Sequence, residues 1–250
     1  MPDEGPSFRV PFGSMYGRLA EKRILFAHQS VGAEIVRGVL DIRENRAGTV
    51  FRVVESRIPD ALSAPGLCHC RIGRNADPAS KISDFERLMD AGFGETTDLA
   101  FLKLCYVDMA TGVDIEDVFR LYRESFTRLT GKFPDVVFLH VTVPVVRESG
   151  TARAILQKLA MRTDRRREDN ASRGRFSELM IHEYGVSGTV FDLASIESGI
   201  GSGELQDSSN LRRLAGPLMA SYTNDGFHLN VKGRKIVADA LLSTLSRFAG

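Results

Sequence analysis

The chain has 250 residues, a length that suits one large α/β domain and is short for two well-packed ones. With 43% hydrophobic and 26% charged residues it can bury a sizeable core, which excludes wholesale disorder. A formal net charge of +1 and the absence of Trp argue against a broad nucleic-acid or anionic-membrane surface, and no apolar run reaches the roughly 18 residues of a membrane span.

The opening stretch MPDEGPSFRVPFGS has no basic segment followed by an apolar one, so it does not read as a secretory leader. Three cysteines, Cys68, Cys70 and Cys105, are too few and odd in number for a disulfide framework. Reduced thiols and a cytoplasmic location are expected; removal of a leader would make the protein secreted instead. Residues 1–22 are expected to wrap the surface, and 23–250 to form a single domain without repeat or linker.

In chain order, Arg23–Ala27 is a short apolar strand, and Ala33–Asn45 carries Ile35, Val36, Val39 and Leu40 at helical spacing. Val50–Val54 reads as the second strand and Ala79–Ala91 as a helix. Asp98–Leu104 is the third strand, followed by a helix over Ile115–Leu129. Asp135–Val141 is the fourth strand, rich in β-branched and aromatic residues. A long helical stretch runs from about Ala152 to Tyr184, with one break. Thr189–Leu193 is the fifth strand, and Val231–Phe248 a closing helix capped by Asn230.

Apolar strands alternating with helices predict a three-layer α/β/α sandwich around a parallel sheet of about five strands. In such sheets ligands bind beyond the carboxyl ends of the strands. The segments to inspect are therefore His28–Gly32, Glu55–Asn75, Cys105–Asp108, Thr142–Glu148 and Ala194–His228.

Two of these segments carry a recognisable chemistry. Ser30, in FAHQSVG, lies between the first strand and a helix, where a hydroxyl stands at the active edge of the sheet. The backbone N–H there sits in the positive field of the helix N-terminus. Near the other end, Asp225 and His228 lie three apart in a loop before the last helix. A carboxylate so placed can hold the imidazole tautomer, leaving the other ring nitrogen to take a proton from a serine.

Together these blocks resemble the SGNH/GDSL hydrolase family, from about Arg23 to the C-terminus. The resemblance implies a flavodoxin-like topology and a triad of Ser30, Asp225 and His228. The ending D-G-F-H-L-N followed by Lys232, Gly233 and an apolar helix is its most specific element. The first block reads His28-Gln29-Ser30 where the family has Gly-Asp-Ser. The third block, aligned on DLAFLKLCYVD, places Cys105 at the glycine, Val107 at the asparagine and Asp108 at the final Asp, which puts Asp108 among the expected oxyanion or substrate-binding residues. The family's oxyanion asparagine is thus absent, and losing such a donor costs about 2.7–4 kcal/mol of transition-state stabilisation. Gly73 matches the second-block glycine, whose N–H would face the oxyanion. Asn75, two residues on, either replaces the missing amide or shapes a turn with Asp77 and Pro78.

His28 could orient the loop, contact substrate, pair with Asp108, or be satisfied by backbone. Lys103, within an apolar strand, calls for a partner, and Glu55 is the expected one. Cys68-His69-Cys70 lacks the second ligand pair of a zinc site, so no metal is expected. Cys105 reads as a small buried hydrophobe. Gly199–Glu204 is a loop rather than a dinucleotide turn, and Arg162–Asn170 reads as a solvated helix face, with a substrate-anion clamp as the alternative.

The expectation is carboxylic-ester hydrolysis through an acyl-enzyme on Ser30, without cofactor, on a small-molecule or carbohydrate ester. No nucleic-acid partner and no membrane span are expected. The rival readings are an acyltransferase using the same acyl-enzyme and a binding protein that has lost activity on the same fold.

Overall fold

The computed structural model describes residues 15–44, 51–148, 165–200 and 216–249. Its sheet contains β1 (Arg23–His28), β2 (Val53–Glu55), β3 (Gly66–Arg71), β4 (Leu99–Leu102), β5 (Val137–Val141) and β6 (Val190–Phe191). All neighbours are parallel, in the order β2-β3-β1-β4-β5-β6. Without the edge strand β2, the remaining five follow the flavodoxin-like doubly wound order. The winding reverses at β1, whose flanks are β3 on one side and β4 on the other. A crevice is therefore expected at the carboxyl end of β1, where Ser30 lies.

Among the described residues, the α-helices of five or more residues are α1 (Met15–Leu19), α2 (Val31–Glu44), α3 (Pro78–Leu88), α4 (Ile115–Lys132), α5 (Arg165–Tyr184), α6 (Leu193–Glu197) and α7 (Val231–Ser246). Strand alternation divides the core. Leu25, Ala27, Ala100 and Leu102 face a cluster built with Phe85 of α3, Tyr122 and Phe126 of α4 and Phe176 of α5. Ile24, Phe26, Leu99 and Phe101 face the opposite cluster, built with Leu19 of α1, Ile35 and Val39 of α2, and Val237 and Leu241 of α7. Both faces being covered explains why these strands read as continuous apolar runs. Side-chain caps fix four helix starts: Asp77 accepts from the Ser80 N–H, Asp114 from Asp117, Asp192 from Ser195 and Asn230 from Gly233.

The six parallel strands among the described residues agree with the expected three-layer sandwich on a sheet of about five. Several details change: the stretch read as the second strand is only the edge, shifted to Val53–Glu55. The strand beside β1 is Gly66–Arg71, within a segment read as loop. Its sequence GLCHCR hides the pattern, because the inward residues are Leu67, Cys68 and Cys70 while His69 and Arg71 dilute the apolar run. Leu19 is fully buried, so the end of the expected surface segment belongs to the core. Residues 1–14, and the first part of the expected helix from Ala152, lie outside the described residues. Among the described residues, no helix is long and apolar enough to cross a membrane.

Candidate active site

Ser30 joins β1 to α2 and has φ of +39°, in the left-handed region that non-glycine residues rarely occupy. Such conformations cost on the order of 1–3 kcal/mol and persist where the surroundings enforce them. Two features do so. The Ser30 carbonyl accepts the Ala33 N–H at 2.8 Å, which begins the helix at once. On the preceding residue, the Gln29 amide donates to the carbonyls of Ile72 and Gly73 at 2.8 and 3.2 Å, which pins the turn to the loop after β3. The turn also needs Gly32: a Cβ there would lie 2.3 Å from the Cβ of His28.

The loop between Thr223 and Leu229 is closed by an antiparallel bridge between those two residues. Within it, Asp225 Oδ1 accepts the N–H groups of Phe227 and His228, both at 2.8 Å, while Oδ2 meets His228 Nδ1 at 2.7 Å. An ionised carboxylate only accepts, so Nδ1 carries the proton and Nε2 is left as acceptor. Nε2 lies 2.9 Å from Ser30 Oγ, which donates to it. Burial works to raise the Asp225 pKa, but the His228 ring and the two N–H donors outweigh it and hold the carboxyl well below the usual range. The structure thus brings Ser30, His228 and Asp225 into one hydrogen-bonded chain.

Glu34, absent from the sequence expectations, belongs to the same site. It lies four residues after Ser30, in the first turn of α2. Its Oε2 accepts the Leu229 N–H at 3.1 Å. Burial raises its pKa, opposed by the charge of His228 and the Leu229 N–H. No local pattern in the sequence marks it, because its partner is a backbone N–H in a remote loop. Tyr106 forms a wall on the other side, its ring edge-on to His228 at 6.1 Å and 5.8 Å from the ring of Phe227. Phe227 in turn carries the Arg166 guanidinium at 4.5 Å. That contact places part of the Arg162–Asn170 run beside the site.

Other expected site residues are placed differently. The Gly73 N–H, expected to face an oxyanion, donates to Asp84 Oδ2 at 2.9 Å. Its φ of +51°, and the Lys81 backbone 2.6 Å from where a Cβ would be, explain the glycine by packing. Asp108 does not face substrate. It is buried, bound to Lys81 Nζ at 2.6 Å, and accepts the N–H groups of Cys105 and Ala76 at 2.6 and 3.0 Å. It ties three segments together beneath the site.

His28 is paired neither with Asp108 nor with backbone. Its Nε2 meets His69 Nδ1 at 3.2 Å across β1 and β3, and its Nδ1 has no partner among the described residues. Burial, with the nearby charges of His69, Lys103 and Arg71, drives its pKa down to about 3, so the ring is neutral. Lys103 is buried but does not meet Glu55, which is exposed on the edge strand. Cys68 and Cys70 point into the core and His69, between them, points to the other face of β3. Asn75 is exposed; its amide oxygen accepts from Lys81 Nζ at 3.3 Å, and its NH₂ has no partner among the described residues.

No family model and no curated protein matches the chain. Among solved structures, it is similar to a lipase/acylhydrolase from Enterococcus faecalis, with 12% identity and a TM-score of 0.48 over 90% of this chain and 96% of that one. A protein from Desulfitobacterium hafniense DCB-2 described as lipolytic and of the G-D-S-L family shows 8% identity and a TM-score of 0.47, over 89% of this chain and 99% of that one. A protein from Streptococcus pneumonia described as a platelet activating factor shows 15% identity and a TM-score of 0.46, over 86% and 94%. Likenesses this distant carry nothing about activity, which rests on the site itself.

Proposed function

We propose that the protein is a serine hydrolase that cleaves carboxylic esters through an acyl-enzyme on Ser30. The observation that carries this reading is the chain Ser30 Oγ, His228 Nε2, His228 Nδ1 and Asp225 Oδ2, with contacts of 2.9 and 2.7 Å. His228 takes the Ser30 proton as Oγ bonds to the ester carbonyl carbon, and Asp225 stabilises the imidazolium that forms. Collapse of the tetrahedral species breaks the bond to the alcohol, which leaves with the proton from His228. Water, deprotonated by the same nitrogen, then releases the acid and regenerates Ser30.

The negative oxygen of each tetrahedral species needs donors. The Ser30 N–H, at the start of α2 and without an acceptor among the described residues, is the first. The unengaged NH₂ of Asn75 is the second; the Gly73 N–H is committed to Asp84. Short acyl groups on a carbohydrate or similar alcohol are the substrates we propose.

The test is labelling by a fluorophosphonate probe. Ser30 should be labelled in the folded protein and Ser30→Ala should not be; absence of label on the wild type would overturn the reading. Turnover of an acetyl ester in the presence of added alcohols distinguishes hydrolysis, which yields free acid, from transfer. Asn75→Ala with unchanged turnover would remove that residue from the oxyanion site.

A further inference from the structure

Two buried polar side chains under the site have no part in the mechanism above. Lys103 and Cys105 follow β4 two residues apart, so the extended backbone sends both side chains to the same side. Both are buried, with 0% and 1% exposure. Lys103 Nζ lies 3.6 Å from Cys105 Sγ, and that sulfur is its one hydrogen-bond partner among the described residues. No carboxylate there comes within ion-pair distance of it. Lys81, equally buried, shows the usual arrangement, with Asp108 at 2.6 Å. Enclosing an amine against a thiol, with no counter-charge in contact, is costly unless the pair has a use.

We infer that Lys103 and Cys105 are a redox-modification site, at which dioxygen joins the two side chains through a nitrogen–oxygen–sulfur bridge. The lysine ammonium, the thiol and one dioxygen molecule give the bridge, one water and one proton. The N–O and O–S bonds form, and the O=O, S–H and two of the three N–H bonds break. Nitrogen and sulfur each lose two electrons, and the four reduce dioxygen, one atom of which becomes the bridge and the other water. Two equivalents of an external dithiol, each oxidised to its disulfide, return the four electrons and restore amine and thiol.

The pairing singles out Cys105. Burial pushes the Cys68 and Cys70 thiols up to about 11 and 12, and neither has a hydrogen bond from a lysine among the described residues. The Asp108 N–H donates to the Cys105 carbonyl at 3.0 Å and the Asp108 carboxylate accepts the Cys105 N–H at 2.6 Å, which holds that residue in place. The bridge would abolish the Lys103 charge, which acts on His28, Glu34 and Glu197. Any effect on turnover rests on the hydrolase reading, whereas the bond itself does not.

The test uses the full chain held in air-saturated buffer and then treated with dithiothreitol. The expected product gains one oxygen and loses two hydrogens by intact mass. Trypsin should then fail to cut after Lys103 and yield one peptide, Leu88–Arg120, in place of two; dithiothreitol should restore both the mass and the cut. Cys105→Ser should show neither change, and Lys103→Gln should show at most oxygen added to sulfur. If the oxidised wild type is still cut after Lys103, carries oxygens on Cys105 alone, or shows no mass change in air, the inference is overturned. The trypsin readout on wild type decides the matter even if Lys103→Gln does not fold.

Discussion

Glu34 accepts the Leu229 N–H at 3.1 Å across 195 residues of sequence, so the helix that follows Ser30 grips the loop that carries His228. Nucleophile and base are thus positioned by one carboxylate as well as by their own hydrogen bond. Glu34→Gln keeps an acceptor and should retain most activity, while Glu34→Ala frees the loop and should lower kcat about 10- to 100-fold, in line with misplacement of a catalytic group. Steady-state kinetics of both variants on one ester checks this, and equal losses would show that charge, not the tether, matters.

Asp225→Asn should leave the fold intact and lower kcat by roughly 10⁴-fold, because an amide can present its NH₂ to Nδ1 and favour the wrong tautomer. The Phe227 and His228 N–H groups can still bond to its oxygen. Circular dichroism together with kcat separates this outcome from unfolding.

Glu197 is fully buried, and burial pushes its pKa from the ordinary 4.5 up to about 8, only partly opposed by the Val145 N–H. The folded state therefore holds a proton that the unfolded chain releases. Its contribution is fully present below 4.5 and is lost as pH rises toward 8, with a slope of at most about 1.4 kcal/mol per pH unit. Thermal unfolding between pH 5 and 8 should show the wild type losing stability relative to Glu197→Gln. Parallel curves for the two proteins would refute the assignment.

Breaking the buried pair beneath the site, by Lys81→Met or Asp108→Asn, should cost about 3–5 kcal/mol. Replacing both partners by apolar residues should not recover the loss, since the Cys105 and Ala76 N–H groups would still lack the Asp108 acceptor. Urea denaturation of the single and double variants measures this.

The serine and the D-x-x-H loop were legible because each is a local pattern set at a strand end or before a helix, where sheet topology brings such ends together. The strand Gly66–Arg71 was not, because pairing on both edges lets Cys and His occupy a central strand without an apolar signature. Glu34 was hidden for a different reason: its partner is a backbone N–H in a remote loop, and no residue type announces that. For Gly73 and Asp108 the family alignment pointed toward substrate, whereas their actual partners, Asp84 and Lys81, lie on one face of α3, three residues apart. Such contacts are set by how α3 packs, which no short motif encodes.

The backbone at Ser30 has one more consequence. A left-handed φ of +39° is natural for glycine and unfavourable for serine. Ser30→Gly should therefore melt at a higher temperature than the native chain while losing its nucleophile. On the proposed chemistry, selection for a more durable protein and selection for a working one pull in opposite directions at this single residue.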